Sequence, residues 1–262
     1  MSTQLQENES RAVLRRPMKD EVYGVLYQRI LAGEYAAGAW LRQEEIASQL
    51  GVSMTPVREA LDLLVSSGLA ERVPYRGVRI LSPAGAEILH SYTMRLLLES
   101  AAAHAAALRI SDGEIVALER LLEQCRQLTR LEDIPQERAL SRELHSAVGA
   151  AAGNPLLDKM YFMVLNTFPD WLLYEHLFRH PELLEDSMRA EYREHRLLVE
   201  ALAAHQPELA VRRTIEHVMN RGRELELYLG IPAQSLHAAE AQVLPLIAQS
   251  CLPHKQYEKE LP

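Results

Sequence analysis

The chain has 262 residues, enough for two domains, and apolar residues make up 48% of it, so a sizeable core can form. The net charge is −8, but residues 1–82 carry ten basic and ten acidic side chains, so the acidic excess lies in the C-terminal part. Two cysteines without a CxxC motif exclude a disulfide framework, and the absence of any long apolar stretch excludes a signal peptide or membrane span and favours a cytoplasmic protein.

The N-terminal part has the pattern of a small DNA-binding domain. Residues 1–17 are polar and predict a disordered arm. Within residues 18–82, apolar side chains recur at helical spacing in three segments, which end at Gly33, Gly51 and Gly68. Two β-like runs around a glycine turn follow and predict a hairpin. Helix, helix, turn, helix and a two-stranded wing together predict a winged helix-turn-helix domain.

The start of the third helix carries hydroxyl groups and a positive charge rather than acidic residues. Ser53 is placed to cap the helix, and its exposed face carries Met54, Thr55 and Arg58. Backbone N–H groups and hydroxyls there can hold a phosphate, while Arg58 can reach a guanine edge or a phosphate. The alternative is that Arg58 pairs with Glu59 or Glu45 and only solvates the surface.

The run "LGVSMTPVREAL" at residues 50–61 resembles the "LGVSRTPVREAL" motif of the GntR family of bacterial transcription regulators. The resemblance implies binding of double-stranded operator DNA and a homodimer, because one recognition helix reads only half of a two-fold operator. Met54 departs from the family's usual arginine. The residues implied to contact DNA are Ser53, Thr55, Arg58 and the wing residues Arg76 and Gly77.

Residues 84–230 predict an all-α bundle of six to seven helices. The helical pattern is interrupted by short polar or proline-containing segments near residues 111, 135, 154, 181 and 207. Residues 231–262 form a C-terminal extension that is less regular, with one further helix possible in "AEAQVLPLIAQSCL".

Three histidines of the bundle are candidates for one site. His195 and His217 are equally far in sequence from the turn at Gln206, so in an antiparallel helix pair they lie at the same height and can face each other. With His145 from a third helix, they would form a facial set for a divalent transition metal. The alternative is three unrelated histidines.

"RLLLESAAAHAAA" at 95–107 and "LHSAVGAAAGNPLL" at 144–157 resemble the FCD ligand-binding domain of the FadR subfamily of GntR regulators. Many members bind a metal through one Asp and three His, and here Ser141 stands at the Asp position. Three His and water still suffice for Zn²⁺ or Ni²⁺. The resemblance implies that Arg95 belongs to the pocket of a small carboxylate effector, beside Ser141. Asn220 lies three residues after His217 on the same helix face, so it either lines the pocket or is a surface asparagine. Alternatively, the histidines and Arg95 bind the anion without a metal.

The sequence therefore predicts a mainly α transcription regulator that binds operator DNA and a metabolite, without a membrane partner. The competing class is a metal-dependent hydrolytic enzyme that uses the three histidines to activate water. That alternative lacks a paired carboxylate, an activated nucleophile or a phosphate loop in the sequence. A third class, an interaction module without DNA binding, is weakened by Arg58 and the wing arginines.

Overall fold

The computed structural model describes residues 17–167 and 170–251. The predicted N-terminal arm lies outside the described residues except for Pro17, and the end of the C-terminal extension lies outside them as well. Within the described ranges, none of the helices is both long and apolar enough to cross a membrane.

The winged helix-turn-helix domain has the predicted element order. Its helices are α1 (Met18–Leu31), α2 (Gln43–Leu50) and α3 (Met54–Ser66). The hairpin is β2 (Ala70–Val73) and β3 (Gly77–Ile80), and a short strand β1 (Trp40–Leu41) completes an antiparallel sheet of order β1-β3-β2. The inward stripe of α3 is fully buried and consists of Val57, Ala60, Leu61 and Leu64. The opposite face of the helix is therefore presented to solvent.

The second part of the chain is an all-α bundle of the predicted size. Within the described residues, proline-containing segments separate most of the helices of this bundle. Seven helices precede the C-terminal one: α4 (Gly85–Ala107), α5 (Asp112–Cys125), α6 (Ile134–Ala151), α7 (Pro155–Thr167), α8 (Asp170–Arg179), α9 (Leu184–Ala203) and α10 (Pro207–Leu229). The longest helices, α4 and α10, pack together, and α6, α9 and α7 close the remaining sides. The three predicted histidine-bearing helices, α6, α9 and α10, are therefore neighbours around one centre.

The C-terminal extension is more regular than the sequence indicated. A single helix, α11 (Ala233–Cys251), begins soon after Gly230 and continues through Pro245. It packs against α4, where the Tyr92 hydroxyl donates to Glu240 at 2.6 Å. The helix α11 is thus part of the bundle, because it packs on α4 and carries buried apolar side chains: Leu236, Val243, Ile247 and Ala248.

One apolar cluster joins the two parts of the molecule. It contains the core of the winged helix domain and side chains of the bundle, among them Tyr27 of α1, Ile134 of α6 and Leu177 of α8. Because these side chains are buried against each other, the winged helix domain rests directly on the bundle near the N-terminal end of α6.

Candidate metal centre and DNA interface

The three predicted histidines meet in the interior of the bundle. The ring centroids of His145, His195 and His217 lie 4.8–5.2 Å apart, and the three side chains are almost completely buried. The Nε2 atoms of His145 and His195 are 3.2 Å apart. The prediction that antiparallel α9 and α10 bring His195 and His217 to the same height is confirmed.

An acidic side chain on α9 orients His217. The Nδ1 atom of His217 donates to Glu194 at 2.8 Å, which turns Nε2 towards the centre of the cluster. Glu194 also accepts a hydrogen bond from the Asn220 amide at 2.5 Å. Asn220 was expected to bind the effector. Its side chain instead donates to Glu194, the residue that orients His217.

His145 is oriented by a different pair of groups. Its Nδ1 atom lies 2.9 Å from the Tyr161 hydroxyl, which in turn donates to Glu99 at 3.4 Å. The close approach of α7 depends on Gly149, since a Cβ atom there would lie only 2.7 Å from a Tyr161 ring carbon. This arrangement leaves Nε2 of His145 facing the other two histidines.

The donor set fits a divalent transition metal. Nε2 of His217 is buried and has no hydrogen-bond partner among the described residues, a costly state unless a ligand satisfies it. Two imidazole nitrogens bound to one Zn²⁺ at about 2.0–2.1 Å and a tetrahedral angle lie about 3.4 Å apart. The observed 3.2 Å between His145 and His195 is close to that value. Carboxylates on the far ring nitrogens are the usual partners of metal-bound histidines.

Ser141 stands where the family's aspartate was expected, and the carboxylate of Glu191 lies next to it. Its hydroxyl donates to Glu191 at 3.0 Å, and Glu191 forms a buried ion pair of 2.9 Å with Arg221. Burial by itself favours protonation of Glu191, but the Arg221 guanidinium, His195, His217 and the hydrogen bond from Ser141 together outweigh it and lower the Glu191 pKa to about 2. A carboxylate is therefore charged beside the centre, supplied by α9 rather than by α6.

Sequence reasoning missed the residues that support the three histidines. Glu191 lies one helical turn before His195, and Arg221 lies one turn after His217, so both share a face with a predicted ligand. This i±4 spacing could have identified them. Glu99 and Tyr161 come from distant helices, and only the packing of α4 and α7 against α6 reveals their role.

A small cavity of about 30 Å³ adjoins the centre, inside a pocket of about 440 Å³ that includes open solvent. Four guanidinium groups and one carboxylate are among its lining side chains: Arg95, Arg138, Arg142, Arg221 and Glu191, together with Ser141, His145, His217, Leu165 and Tyr174. The predicted effector residue Arg95 lines the cavity but is also held by Glu99, with Nε 2.5 Å from the carboxylate. The lining carries more positive than negative side chains, which suits an anion.

The metal-free protein is expected to lose stability in acid, because its three histidines are buried. Burial is the main reason why the pKa values of His145, His195 and His217 fall below the ordinary 6.5. The unfolded chain binds protons on these histidines below about pH 6.5 that the folded chain does not, so the three groups are expected to lower the free energy of unfolding as pH decreases from there, by up to about 4 kcal/mol per pH unit. Glu137, whose pKa burial raises to about 8, acts in the opposite direction and offsets part of this slope. Urea unfolding in EDTA at several pH values measures this slope. His217→Asn should reduce this slope by the amount that corresponds to about one bound proton. An unchanged slope would contradict the lowered pKa of His217.

The DNA-facing side of α3 is exposed as predicted. Ser53, Thr55 and Arg58 are exposed, and the first turn of α3 contains no acidic residue. The expected alternative pairing does not occur, because Glu45 pairs with Arg42 and Arg58 forms no ion pair among the described residues. One detail is corrected: Ser53 stands at the N-cap position of α3, but its side chain forms no capping hydrogen bond there.

The wing ends in a tight turn that exposes its tip. Arg76 and Gly77 are exposed, and Gly77 has a φ of +112°, which a residue with a side chain rarely adopts. Tyr75, which the sequence reasoning did not single out, is fully exposed at the same turn with a φ of +63°. By contrast, the wing arginines nearer the core are paired: Arg72 with Asp62 and Arg79 with Glu71.

Both parts of the chain match known protein families. Residues 18–80 match the gntR family of bacterial regulatory proteins, and residues 90–220 match the FCD domain. The chain belongs to the GntR family. Members of this family are transcription regulators that bind operator DNA and are not enzymes, so the hydrolytic-enzyme alternative is wrong.

Similar proteins include regulators from several bacteria. A probable D-xylose utilization operon transcriptional repressor of Paenarthrobacter nicotinovorans is 28% identical over 210 residues, covering 80% of this chain and 89% of that protein. The repressor RspR of Escherichia coli (strain K12) is 26% identical over 175 residues, covering 62% of this chain and 77% of that protein. The solved structure of E. coli McbR/YncC shares the fold, with a TM-score of 0.59 and 23% identity over 82% of this GntR regulator and 100% of that chain.

The exposed wing arginine gives a test of how this GntR regulator holds DNA. Arg76→Ala is expected to weaken binding to the selected operator and to a scrambled duplex by a similar factor, because a wing-tip guanidinium grips phosphates. The slope of log K against log salt should decrease by about one unit. Fluorescence anisotropy with both duplexes at four salt concentrations measures both quantities. A loss confined to the operator would make Arg76 a base reader instead.

Proposed function

We propose that this GntR regulator is a cytoplasmic, homodimeric repressor that a small carboxylate metabolite releases from its operator. The term repressor follows the names of its relatives, and the homodimer follows from a recognition helix that reads one half-site. Ser53, Thr55 and Arg58 of α3 would face the major groove, while Arg76 and Gly77 would meet the backbone beside it. Their exposure to solvent supports this docking.

The observation that carries the effector proposal is the convergence of three imidazoles, two of which, those of His145 and His217, line an arginine-rich cavity. His145, His195 and His217 would hold Zn²⁺ or Ni²⁺ through their Nε2 atoms, and the bound metal would supply a cation to which a carboxylate can bind. Glu194, Glu99 and Tyr161 keep the imidazoles oriented. The cavity guanidiniums would bind the remaining oxygen atoms of the effector.

The test combines metal and carboxylate in one set of melting curves. Wild type, His195→Ala and the control His90→Ala, which changes an exposed histidine of α4, are stripped with EDTA and melted with and without Zn²⁺ or Ni²⁺. The metal should raise the melting temperature of wild type and His90→Ala but not of His195→Ala. A ligand at a hundred times its Kd stabilises by about 2.7 kcal/mol, which such curves resolve.

Carboxylates are then added to each sample, and operator affinity is measured in parallel. Malonate, succinate and citrate are expected to raise the melting temperature further and to weaken operator binding of the metal-loaded wild type. If they act equally well on EDTA-treated protein, the second candidate holds, in which Arg95 and the histidines bind the anion without a metal. If none of them changes either quantity, the effector is not a carboxylate.

A further inference from the structure

One face of α6 connects the cavity with the winged helix domain. Arg138, Ser141, Arg142 and His145 occupy positions i, i+3, i+4 and i+7 of this helix, and all four line the cavity. His145 belongs to the three-histidine centre. The two arginines lie towards the N-terminal end of α6, where the winged helix domain rests. A ligand in the cavity and the DNA-binding domain therefore share the same stripe of side chains.

Arg142 reaches from the cavity wall to the end of the recognition helix. Its Nη2 donates to the Ser67 carbonyl at 3.0 Å, and its Nη1 lies 3.5 Å from the Ser66 carbonyl. These are among the last carbonyl groups of α3, and the last turn of α3 contains no basic residue of its own. A cation stabilises the C-terminal end of a helix, where the carbonyl dipoles point. The bundle thus supplies the cation that α3 lacks.

Arg138 makes a second contact of the same kind with α1. Its Nη1 donates to the hydroxyl of Tyr27 at 3.4 Å, and the guanidinium carbon lies 6.0 Å from the centre of that ring. On its other side, the same guanidinium lies 5.4 Å from the ring of Tyr174, which also lines the cavity. Two helices of the winged helix domain, α1 and α3, therefore contact arginines that line the cavity. A ligand that moves these arginines can affect both helices.

We propose that Arg142, with Arg138 beside it, is the link through which the anionic effector controls the recognition helix. The inference rests on the proposed function, in which a carboxylate occupies the cavity. A hydrogen bond from a guanidinium to a carboxylate is about twice as strong as one to a neutral carbonyl. A carboxylate in the cavity therefore draws Arg142 away from Ser66 and Ser67. The end of α3 then loses its cation, and the winged helix domain loses its fixed position on the bundle.

The first arm of the test needs no effector. Arg142→Gln removes the charge but keeps a hydrogen-bonding side chain, and Arg126→Gln is the matched control, because Arg126 is an exposed arginine directly after α5 that pairs with Glu123. Arg142→Gln is expected to bind the selected operator about tenfold more weakly than wild type, and amide hydrogen exchange of residues 63–69 should become faster. Arg126→Gln should match wild type in both. An operator affinity of Arg142→Gln within twofold of wild type would overturn the proposal.

The second arm adds malonate, succinate or citrate to the metal-loaded proteins at concentrations that saturate the melting shift. In wild type, the carboxylate should accelerate exchange at residues 63–69 and weaken operator binding towards the value of ligand-free Arg142→Gln. In Arg142→Gln it should change neither quantity further, because the contact is already lost.

The remaining outcomes separate this link from the function on which it rests. If a carboxylate weakens operator binding of wild type and Arg142→Gln by the same factor, the carboxylate effector stands and the Arg142 link is overturned. If no carboxylate affects wild type while Arg142→Gln still loses affinity, the proposed effector class fails and release of Arg142 by a carboxylate fails with it. The hold of Arg142 on α3 is then supported by itself.

Discussion

Arg58→Ala is expected to weaken binding to the operator about 5- to 150-fold, which corresponds to about 1–3 kcal/mol for the loss of one base-reading contact. Arg58 is exposed on α3, outside the stripe of Val57, Leu61 and Leu64, which are fully buried. Its guanidinium forms no ion pair among the described residues, so DNA would not have to displace a carboxylate to engage it.

The folded state should not change, because truncating an exposed side chain removes no buried contact. The duplex is one selected by the wild-type protein from a random pool, and affinity is measured by gel shift beside a scrambled duplex. Arg126→Ala, which removes the same charge from an exposed position directly after α5, serves as the control. If Arg58→Ala binds the selected duplex within twofold of wild type, α3 does not dock through this face.

Ser141→Asp is expected to give the largest gain in metal affinity. Position 141 lies one helical turn before His145 on the same face of α6, and its side chain lies at the cavity. An aspartate there would add a carboxylate to three neutral imidazoles, where a divalent cation would be held. The gain in affinity should be at least about tenfold, the size of effect that single groups around a metal commonly have.

The same substitution should destabilise the metal-free protein. The Ser141 hydroxyl donates to Glu191 at 3.0 Å, so an aspartate would place a second buried carboxylate beside one that is already charged. Without a metal this costs about 3 kcal/mol, the lower range for an uncompensated buried charge. Metal therefore shifts the melting temperature of Ser141→Asp by more than that of wild type.

The matched control is Ser141→Asn, which has nearly the same shape as aspartate but no charge. Metal content after purification without chelator should be highest in Ser141→Asp, followed by wild type and Ser141→Asn, and lowest in His195→Ala. If wild type contains no metal at any pH tested and Ser141→Asp gains none, the three histidines are not a ligand set. Direct anion binding with Arg95 would then replace the metal centre.

Much of the fold follows from local patterns in the sequence. The winged helix domain is predictable because its helices are amphipathic and end at glycines, such as Gly51 with a φ of +65°. The bundle is predictable because prolines such as Pro207 begin its helices. The sequence predicts the helix α11 only weakly, because Pro245 lies inside it and its start is rich in small residues. Its packing on α4 overrides this weak local preference.

By itself, the sequence determined the exposed face of α3 and the meeting of His195 with His217. Both depend on spacing along single helices or on equal distance from one turn, and the geometry of the helix fixes such relations before any packing occurs. Arg58, His195 and His217 therefore lie where the sequence predicts them.

Only the tertiary structure decided what surrounds these residues. Glu194 reaches His217 across two helices, Glu191 takes the hydroxyl of Ser141, and Arg142 spans from the bundle to the end of α3, 75 positions away in sequence. No periodicity encodes such pairs. Their partners are set by which helices pack together and at what height, and that depends on the burial of the whole core rather than on any one segment.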